Sequence, residues 1–95
     1  MSNFLTEVVK KACSFVIRIE MPTQAAKDIL EFMVQRKIGL DTMQMHGAGN
    51  GEAILILYCQ VERDRVRHIQ NSLEKINGIL SVELLEAKTA NMVKL

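Results

Sequence analysis

The sequence has few of the residues on which extracellular and membrane-spanning chains depend. Its two cysteines, Cys13 and Cys59, are too few for a disulfide framework, so a cytoplasmic location with reduced thiols is the simplest interpretation. The longest uninterrupted apolar run, residues 53–59, is far too short to cross a bilayer. Charged residues also interrupt the N-terminus where a signal peptide needs an apolar stretch. We therefore expect a cytoplasmic chain that has no membrane segment.

An excess of positive charge is also missing. Twelve lysines and arginines balance eleven acidic residues, and the net charge of +1 argues against nucleic acid or an anionic membrane as a partner. Aromatic residues are scarce as well. The first predicted strand has only Phe15 and the third only Tyr58, where an RNA recognition motif stacks bases. The length of 95 residues suits one domain with one modest core.

Groups that would carry catalysis or hold a metal are sparse. The two histidines, His46 and His68, have no cysteine or second histidine at ligand spacing. Cys59 shares strand parity with two leucines, which favours a small core residue over a nucleophile. The charged run of residues 62–67 is typical of a solvated helix face. Because no set of nucleophile, base and orienting group can be assembled, we expect no enzyme, no metal site and no cofactor.

Residues 14–21 alternate as a half-buried strand does. Arg18 and Glu20 lie on one face of this strand together with Val16. Pro22 ends the strand, and its fixed φ suits the start of a helix. The opposite, buried face is predicted to contain Phe15, Ile17, Ile19 and Met21.

A helix and a second strand follow. Residues 23–37 have apolar side chains at helical spacing, and Gly39 is the predicted stop. Residues 40–46 form the second strand, on which Met43 and Met45 are interpreted as soft core filling. The predicted core side chains of the helix are Ala26, Ile29, Leu30, Phe32 and Met33.

The second half of the chain contains two more strands around the clearest amphipathic helix. Residues 52–61 form a strand that is apolar on both faces. Residues 62–78 form the helix, which Asn77 and Gly78 close. Residues 79–86 form the last strand. The predicted core stripe of the helix is Val66, Ile69, Leu73 and Ile76.

Three glycines alternate in HGAGNGEA, residues 46–53, and raise the question of a phosphate-binding loop. Such a loop connects a strand to a helix, so that the helix N-terminus faces the anion. Here the glycines lie between two predicted strands. Asn50 and Gly51 are a favoured hairpin pair, because both residues tolerate positive φ. The pattern therefore predicts a β-hairpin and not a nucleotide site.

The predicted element order is βαββαβ, which two interleaved right-handed crossover units produce. We therefore predict an α+β fold: a ferredoxin-like sandwich of four antiparallel strands with both helices on one face of the sheet. Residues 14–86 form the domain, residues 1–13 an N-terminal extension and residues 87–95 a C-terminal tail.

Two segments resemble the ACT domain, a small module that senses amino acids. The segment QRKIGLDTMQM, residues 35–45, is similar to the family's joint between the first helix and the second strand. Arg36, Asp41 and Thr42 stand at the positions of its arginine, glutamate and serine. The segment LEKINGILSVELLE, residues 73–86, resembles the end of the ACT domain in small regulatory subunits of acetolactate synthase.

The resemblance implies an effector site at the turn between the first strand and the first helix. Met21 stands where the family has an asparagine, and Gln24 stands where it has a glycine. The asparagine side chain that would hold the ammonium of an amino acid is therefore missing. The Gln24 side chain also obstructs the close approach of the backbone to the ligand. We expect a branched-chain amino acid to bind weakly or not at all. The candidate effector residues are Glu20, Met21, Pro22, Thr23, Gln24 and Ala25.

The resemblance further implies a non-catalytic regulatory subunit. Its partner would be the catalytic large subunit of a thiamine-diphosphate-dependent enzyme in branched-chain amino acid biosynthesis. Two other functions remain open, a stand-alone amino-acid-binding sensor and a general dimerisation module.

The two-sided apolar strand needs a cover on its second face. Val16, Ile54, Ile56 and Tyr58 are predicted opposite the helices and are candidate interface residues. A chain of this size buries both faces poorly, which predicts a homodimer or a larger assembly. The alternative cover is the apolar N-terminal segment with Phe4, Leu5, Val8 and Val9.

Overall fold

The computed structural model describes residues 10–86, with side chains from residue 12 to residue 85. The elements are β1 (Lys10–Glu20), α1 (Pro22–Gln35), β2 (Gly39–Gly49), β3 (Glu52–Glu62), a 3₁₀ turn (Arg63–Arg65), α2 (Val66–Glu74) and β4 (Ile79–Glu86). β1 begins four residues before the predicted position 14. Residues 1–9 and 87–95, which hold the predicted N-terminal cover and C-terminal tail, lie outside the described residues.

The four strands form one antiparallel sheet in the order β2-β3-β1-β4. This order means that each helix connects two strands that are not neighbours. The chain passes from β1 through α1 to β2, across β3, and from β3 through α2 to β4, across β1. The predicted α+β fold, with four antiparallel strands and two helices, is confirmed.

The core lies between the two helices and one face of the sheet. Every second residue of β1 from Cys13 to Ile19 is buried there, as is every second residue of β3 from Ala53 to Val61. Alternate side chains of a strand point to the same face, so one face of each strand supplies the core. The predicted stripe of α2 is confirmed: Val66, Ile69 and Leu73 are buried, and Ile76 is partly buried against the core.

α1 buries a narrower stripe than the sequence predicts. Ala25, Ile29 and Met33, one turn apart, are buried, whereas Ala26 is partly buried and Leu30 is 37% exposed. Side chains at i and i+4 lie on the same helix face, and α1 turns a single such row to the sheet. The expectation that Ala26 and Leu30 face the core was therefore wrong.

Three methionines that were predicted in the core lie at the surface. Met21 is 69% exposed, because β1 ends at Glu20 and Met21 adopts a left-handed conformation that takes it off the buried face. Met43 and Met45 pair with buried leucines of β3 and so lie on the helix side of the sheet. β2 is an edge strand, however, and these two side chains are 36% and 43% exposed.

α1 ends without the glycine that was predicted to stop it. Lys37 takes the left-handed conformation, with φ of 57°. The Ile38 N–H then donates to the Met33 carbonyl at 3.0 Å, and the Lys37 N–H donates to the Val34 carbonyl at 3.1 Å. This is the hydrogen-bond pattern of a Schellman motif, so the chain has already reversed before Gly39.

The hairpin between β2 and β3 turns at the predicted residues. Asn50 and Gly51 both have positive φ, of 57° and 78°, as a type I′ turn requires. Gly49 has a φ of 82° and lies beside a register irregularity at the end of the β2–β3 ladder. The glycine-rich segment is therefore a hairpin, as predicted from its position between two strands.

Candidate functional site

Residues 20–25, the predicted effector site, connect β1 to α1, and we call this segment the effector turn. Met21 precedes the helix, and its φ of 51° and ψ of 62° lie in the left-handed region. That conformation costs a non-glycine residue about 1–2 kcal/mol. No side chain caps the helix at Met21, and Pro22 has no N–H to offer at the first helical position. The turn is tight, but it aims no side-chain oxygen at the helix N-terminus.

Gly78, in the turn before β4, packs against the effector turn. The Glu20 N–H donates to the Gly78 carbonyl at 2.9 Å. Gly78 has a φ of +93°, and a Cβ added to it would lie 3.3 Å from the Glu20 carbonyl oxygen and 3.7 Å from the Ala25 Cβ. Only glycine combines this conformation with such a close approach. The two turns are therefore held against each other by their backbones.

A shallow pocket of about 100 Å³ lies between the two turns. Four of the predicted effector residues line it, whereas Pro22 and Thr23 line a separate open depression on the outer side of the turn. Asp28 could have been found from its spacing, since it follows Gln24 by one helical turn. Asn77 and Gly78 come from a distant turn, and the sequence predicted them only as the end of the second helix. The pocket residues are Glu20, Met21, Gln24, Ala25, Asp28, Asn77 and Gly78.

Acidic and amide groups surround this pocket. The Gln24 Nε2 donates to the Asp28 Oδ1 at 3.0 Å, which ties the amide along the first turn of α1. Glu20 adds a second carboxylate and Asn77 a second amide, and none of the described lining residues is a lysine or arginine. These groups complement an ammonium ion. A ligand carboxylate would find no cationic side chain among the described lining residues, and could accept hydrogen bonds from the Asn77 amide and from backbone N–H groups at the start of α1.

The sheet face opposite the helices brings the four predicted interface residues together. Val16 pairs directly with Ile56, and Ile54 and Tyr58 flank Ile56 on the same face of β3. Tyr58 is 39% exposed, and Leu85 of β4, which lies on the same face, is 51% exposed. The alternation of β4 could have identified Leu85. We call this surface, formed by Val16, Ile54, Ile56, Tyr58 and Leu85, the open face.

An ion pair borders the open face at the hairpin end. The Arg18 Nη2 lies 2.8 Å from the Glu52 Oε1, and both side chains are partly exposed. Exposed pairs of this kind contribute about 0–1 kcal/mol. The pair therefore gives the apolar surface a polar border without adding much stability.

The two histidines lie on different elements of the fold. His46 is exposed on β2, with its Nε2 3.5 Å from the Gln44 Oε1, and His68 is exposed on α2. Within residues 10–86, no three His, Cys, Asp or Glu side chains lie close enough together to hold a metal ion. In the same range, no helix is long and apolar enough to cross a membrane.

Comparison with known proteins places the chain by its fold. No family model matches the sequence, and no curated protein matches it. Among solved structures, the ACT domain from the GTP pyrophosphokinase of Chlorobium tepidum is similar, with a TM-score of 0.69 and 19% identity, over 81% of this chain and 100% of that one.

Two further structures have the same arrangement. The C-terminal domain of the MgtC protein from Mycobacterium tuberculosis has a TM-score of 0.67 and 13% identity, over 84% of this chain and 90% of that domain. A homoserine dehydrogenase from Thiobacillus denitrificans has a TM-score of 0.67 and 18% identity, over 84% of this chain but 18% of that enzyme. Identities this low establish a shared fold and leave function to the site. The chain thus has the βαββαβ fold of the ACT domain.

Proposed function

We propose that the chain is a non-catalytic regulatory subunit, resembling the small subunit of acetolactate synthase. It would bind a thiamine-diphosphate-dependent catalytic subunit of branched-chain amino acid biosynthesis. The fold likeness to the ACT domain of a GTP pyrophosphokinase supports the ACT class. The two resembling segments, residues 35–45 and 73–86, support the narrower assignment.

The open face is the observation that carries this proposal. Val16 of β1 and the three apolar side chains of β3 form an apolar cluster, and Leu85 of β4 lies beyond Ser14 on the same face. Tyr58 and Leu85 are more than one-third exposed. Contiguous exposed apolar surface of this kind marks interaction sites. A catalytic subunit that contacts it differently in its active and inactive states would be shifted toward the state with the better contact.

The effector turn supports partner binding over amino-acid sensing. Met21 presents a thioether where the family has an amide or a carboxylate, and its side chain is 69% exposed. Gln24 places an amide where the family's glycine lets a ligand approach the backbone, and that amide is already bonded to Asp28. Losing one charge-assisted hydrogen bond costs a ligand about 1.5–3 kcal/mol. Valine, leucine and isoleucine should therefore bind weakly.

A homodimer is part of the proposal, and the β2 edge supports it. Within the eleven-residue strand Gly39–Gly49 there is no lysine, arginine or proline, the residues that usually protect an edge from pairing. Met43 and Met45 are exposed on the helix side of this edge. Two copies of β2 could pair antiparallel about a twofold axis. The unpaired backbone N–H and C=O groups of each edge would then hydrogen-bond to those of the other.

The face alternation of β2 limits how two copies can pair. A twofold axis perpendicular to the sheet keeps both helix layers on one side, so each residue must pair with one of the same parity. Pairing Gln44 with itself places Met43 opposite Met45 of the second copy, and Thr42 opposite His46 of the second copy. The four methionines would then cover one another. Gln44→Lys should oppose this pairing, because two like charges would lie directly opposite each other across the twofold axis.

The second candidate is a stand-alone amino-acid sensor, which the acidic pocket favours. Glu20, Asp28 and Asn77 converge there without a neighbouring lysine or arginine among the described lining residues. They could accept hydrogen bonds from an α-ammonium group. The third candidate, a general dimerisation module, needs only the β2 edge.

Two binding measurements separate these functions. In a pull-down, the chain should retain the large subunit of acetolactate synthase, and Ile56→Asp on the open face should abolish retention. Val34→Asp, on the exposed side of α1, is the matched control and should leave it intact, since Val34 is 76% exposed. Calorimetry with valine, leucine and isoleucine should give dissociation constants in the millimolar range or weaker. Micromolar amino-acid binding without retention of any large subunit would favour the sensor.

A further inference from the structure

The two cysteines of the sequence stand directly opposite each other across two strands. Cys13 of β1 and Cys59 of β3 are register partners in the antiparallel ladder, and their side chains are 5% and 1% exposed. Partners in such a ladder have Cα atoms about 4.5–5.5 Å apart. A disulfide needs Cα atoms about 4.4–6.8 Å apart, so the pair can be bridged without moving either strand.

We propose that Cys13 and Cys59 are an oxidisable pair, which hydrogen peroxide converts into a disulfide between β1 and β3. The Cys13 thiolate attacks a peroxide oxygen, the O–O bond breaks, and a sulfenic acid forms on Cys13 while hydroxide leaves. The hydroxide takes up the proton that the Cys13 thiol released, which gives the first water. The Cys59 sulfur then attacks the Cys13 sulfur. The S–S bond forms, and the hydroxyl leaves as a second water with the Cys59 proton. The two thiols lose two electrons, and the peroxide is reduced to two waters.

Cys13 is expected to react first, because it is 5% exposed whereas Cys59 is 1% exposed. The pair Cys13–Glu86 is the last one between β1 and β4, because β4 ends at Glu86. The ends of a strand ladder open locally at a lower free energy than the whole domain, and such opening would give peroxide access to Cys13. Cys59 lies on β3 between Cys13 of β1 and Leu40 of β2, and it is the less exposed of the two cysteines.

The hydrogen bond between the two thiols agrees with this order of events. It raises the pKa of Cys59, and burial raises it further. Cys59 therefore keeps its proton, and the sulfur of Cys13 is left as the acceptor. Thiolates, not thiols, attack peroxide, so Cys59 is the resolving partner in this pair. The same burial makes the reaction slower than that of an exposed cysteine.

The bridge would change the stability of the domain. It closes a loop that contains α1, β2 and the hairpin, between two strands at the centre of the sheet. Closing a loop of several tens of residues lowers the unfolding equilibrium constant about 10²- to 10³-fold in the chain-entropy account. The oxidised domain should therefore unfold at a higher urea concentration than the reduced one.

Intact-mass analysis of the purified, reduced protein tests the proposal. After treatment with hydrogen peroxide, removal of the peroxide, denaturation and alkylation with iodoacetamide, the chain should lose two hydrogen atoms in mass and take up no alkyl group. It should run as a monomer on a non-reducing gel, and dithiothreitol should restore both thiols. A chain that takes up two alkyl groups after the same treatment, or that forms only intermolecular disulfides, would overturn the proposal.

Two variants test the order of events and the geometry. Cys59→Ser should stop at a sulfenic acid on Cys13, which dimedone traps. Cys59→Ser/Tyr58→Cys moves the second thiol to the open face, and we expect it to form no internal bridge. A bridge in that double variant would show that the register does not control the reaction. If either variant fails to fold, the mass measurement on the unaltered chain decides alone.

Discussion

Leu73 connects α2 to the sheet, and its replacement by alanine should destabilise the domain strongly. The Leu73 side chain is fully buried in the core cluster, on the same stripe of α2 as Val66 and Ile69. Removing about three methylene equivalents at ~0.8 kcal/mol each costs about 2.4 kcal/mol. A residual cavity of about 60 Å³ adds about 1.5 kcal/mol at ~24 cal/mol per Å³. We expect a loss of about 4 kcal/mol, which is a large share of the ~5–15 kcal/mol typical of a domain.

Equilibrium unfolding in urea, followed by far-ultraviolet circular dichroism, measures this loss. The midpoint of Leu73→Ala should fall while the slope stays close to that of the unaltered protein. Val34→Ala is the control on α1, and its effect should stay within about 0.5 kcal/mol because Val34 is 76% exposed. A loss below about 0.5 kcal/mol for Leu73→Ala would place the α2 stripe at the surface and refute the packing described above.

Three further changes probe the turns and the buried thiol. Gly78→Ala should lower the unfolding free energy by about 1–3 kcal/mol, because the φ of +93° and the Glu20 carbonyl oxygen oppose a Cβ at this position. Gly47→Ala is the control and should cost about 0.5 kcal/mol or less, since a Cβ there would meet nothing within 4 Å. Equal losses for the two variants in urea unfolding would contradict this. Met21→Asn/Gln24→Gly should strengthen valine binding about 10- to 150-fold in calorimetry, the worth of one charge-assisted hydrogen bond, and no gain would show that the effector site lies elsewhere. The pKa of Cys59 is raised by its hydrogen bond to Cys13, by burial and by the nearby charge of Asp41, so the folded state keeps a proton that the unfolded chain releases near pH 8.5. The unfolding free energy should therefore fall above about pH 8.5, by up to ~1.4 kcal/mol per pH unit, and a Cys59→Ala variant with the same fall would disprove that origin.

Periodicity along the sequence was sufficient to predict every helix and strand of the sheet, because burial repeats at two residues in β1 and β3 and at nearly four in α2. Boundaries were harder to predict. The first residues of β1, from Lys10 to Ala12, do not show the alternation, and they are strand because they pair with residues 60–62 of β3. Met21 continues the alternation by one residue although the strand has ended.

The exposure of side chains at the edge of the sheet could not be predicted from the local sequence pattern. Met43 and Met45 have the correct parity for the core, but their exposure depends on the sheet order, which leaves β2 without an outer neighbour. Lys37 ends α1 because the chain must reverse toward β2, although a lysine has no intrinsic preference for positive φ.

Only one wall of the candidate pocket could be predicted from the sequence, because its two walls come from distant parts of the chain. Its Glu20, Met21, Gln24 and Ala25 are close in sequence and could be identified by family resemblance. Its other wall comes from the turn at Asn77 and Gly78, more than fifty residues further along the chain. The pairing of β1 with β4 and the hydrogen bond from Glu20 to Gly78 bring the two turns together in the folded chain.

A calorimetric titration of the chain into the large subunit of acetolactate synthase tests the proposed function most directly. We expect saturable binding by the unaltered chain, and a loss of that binding with Ile56→Asp on the open face while Val34→Asp on α1 still binds. No heat of binding with the unaltered chain, or equal binding by both variants, would contradict a regulatory subunit that docks through its open face.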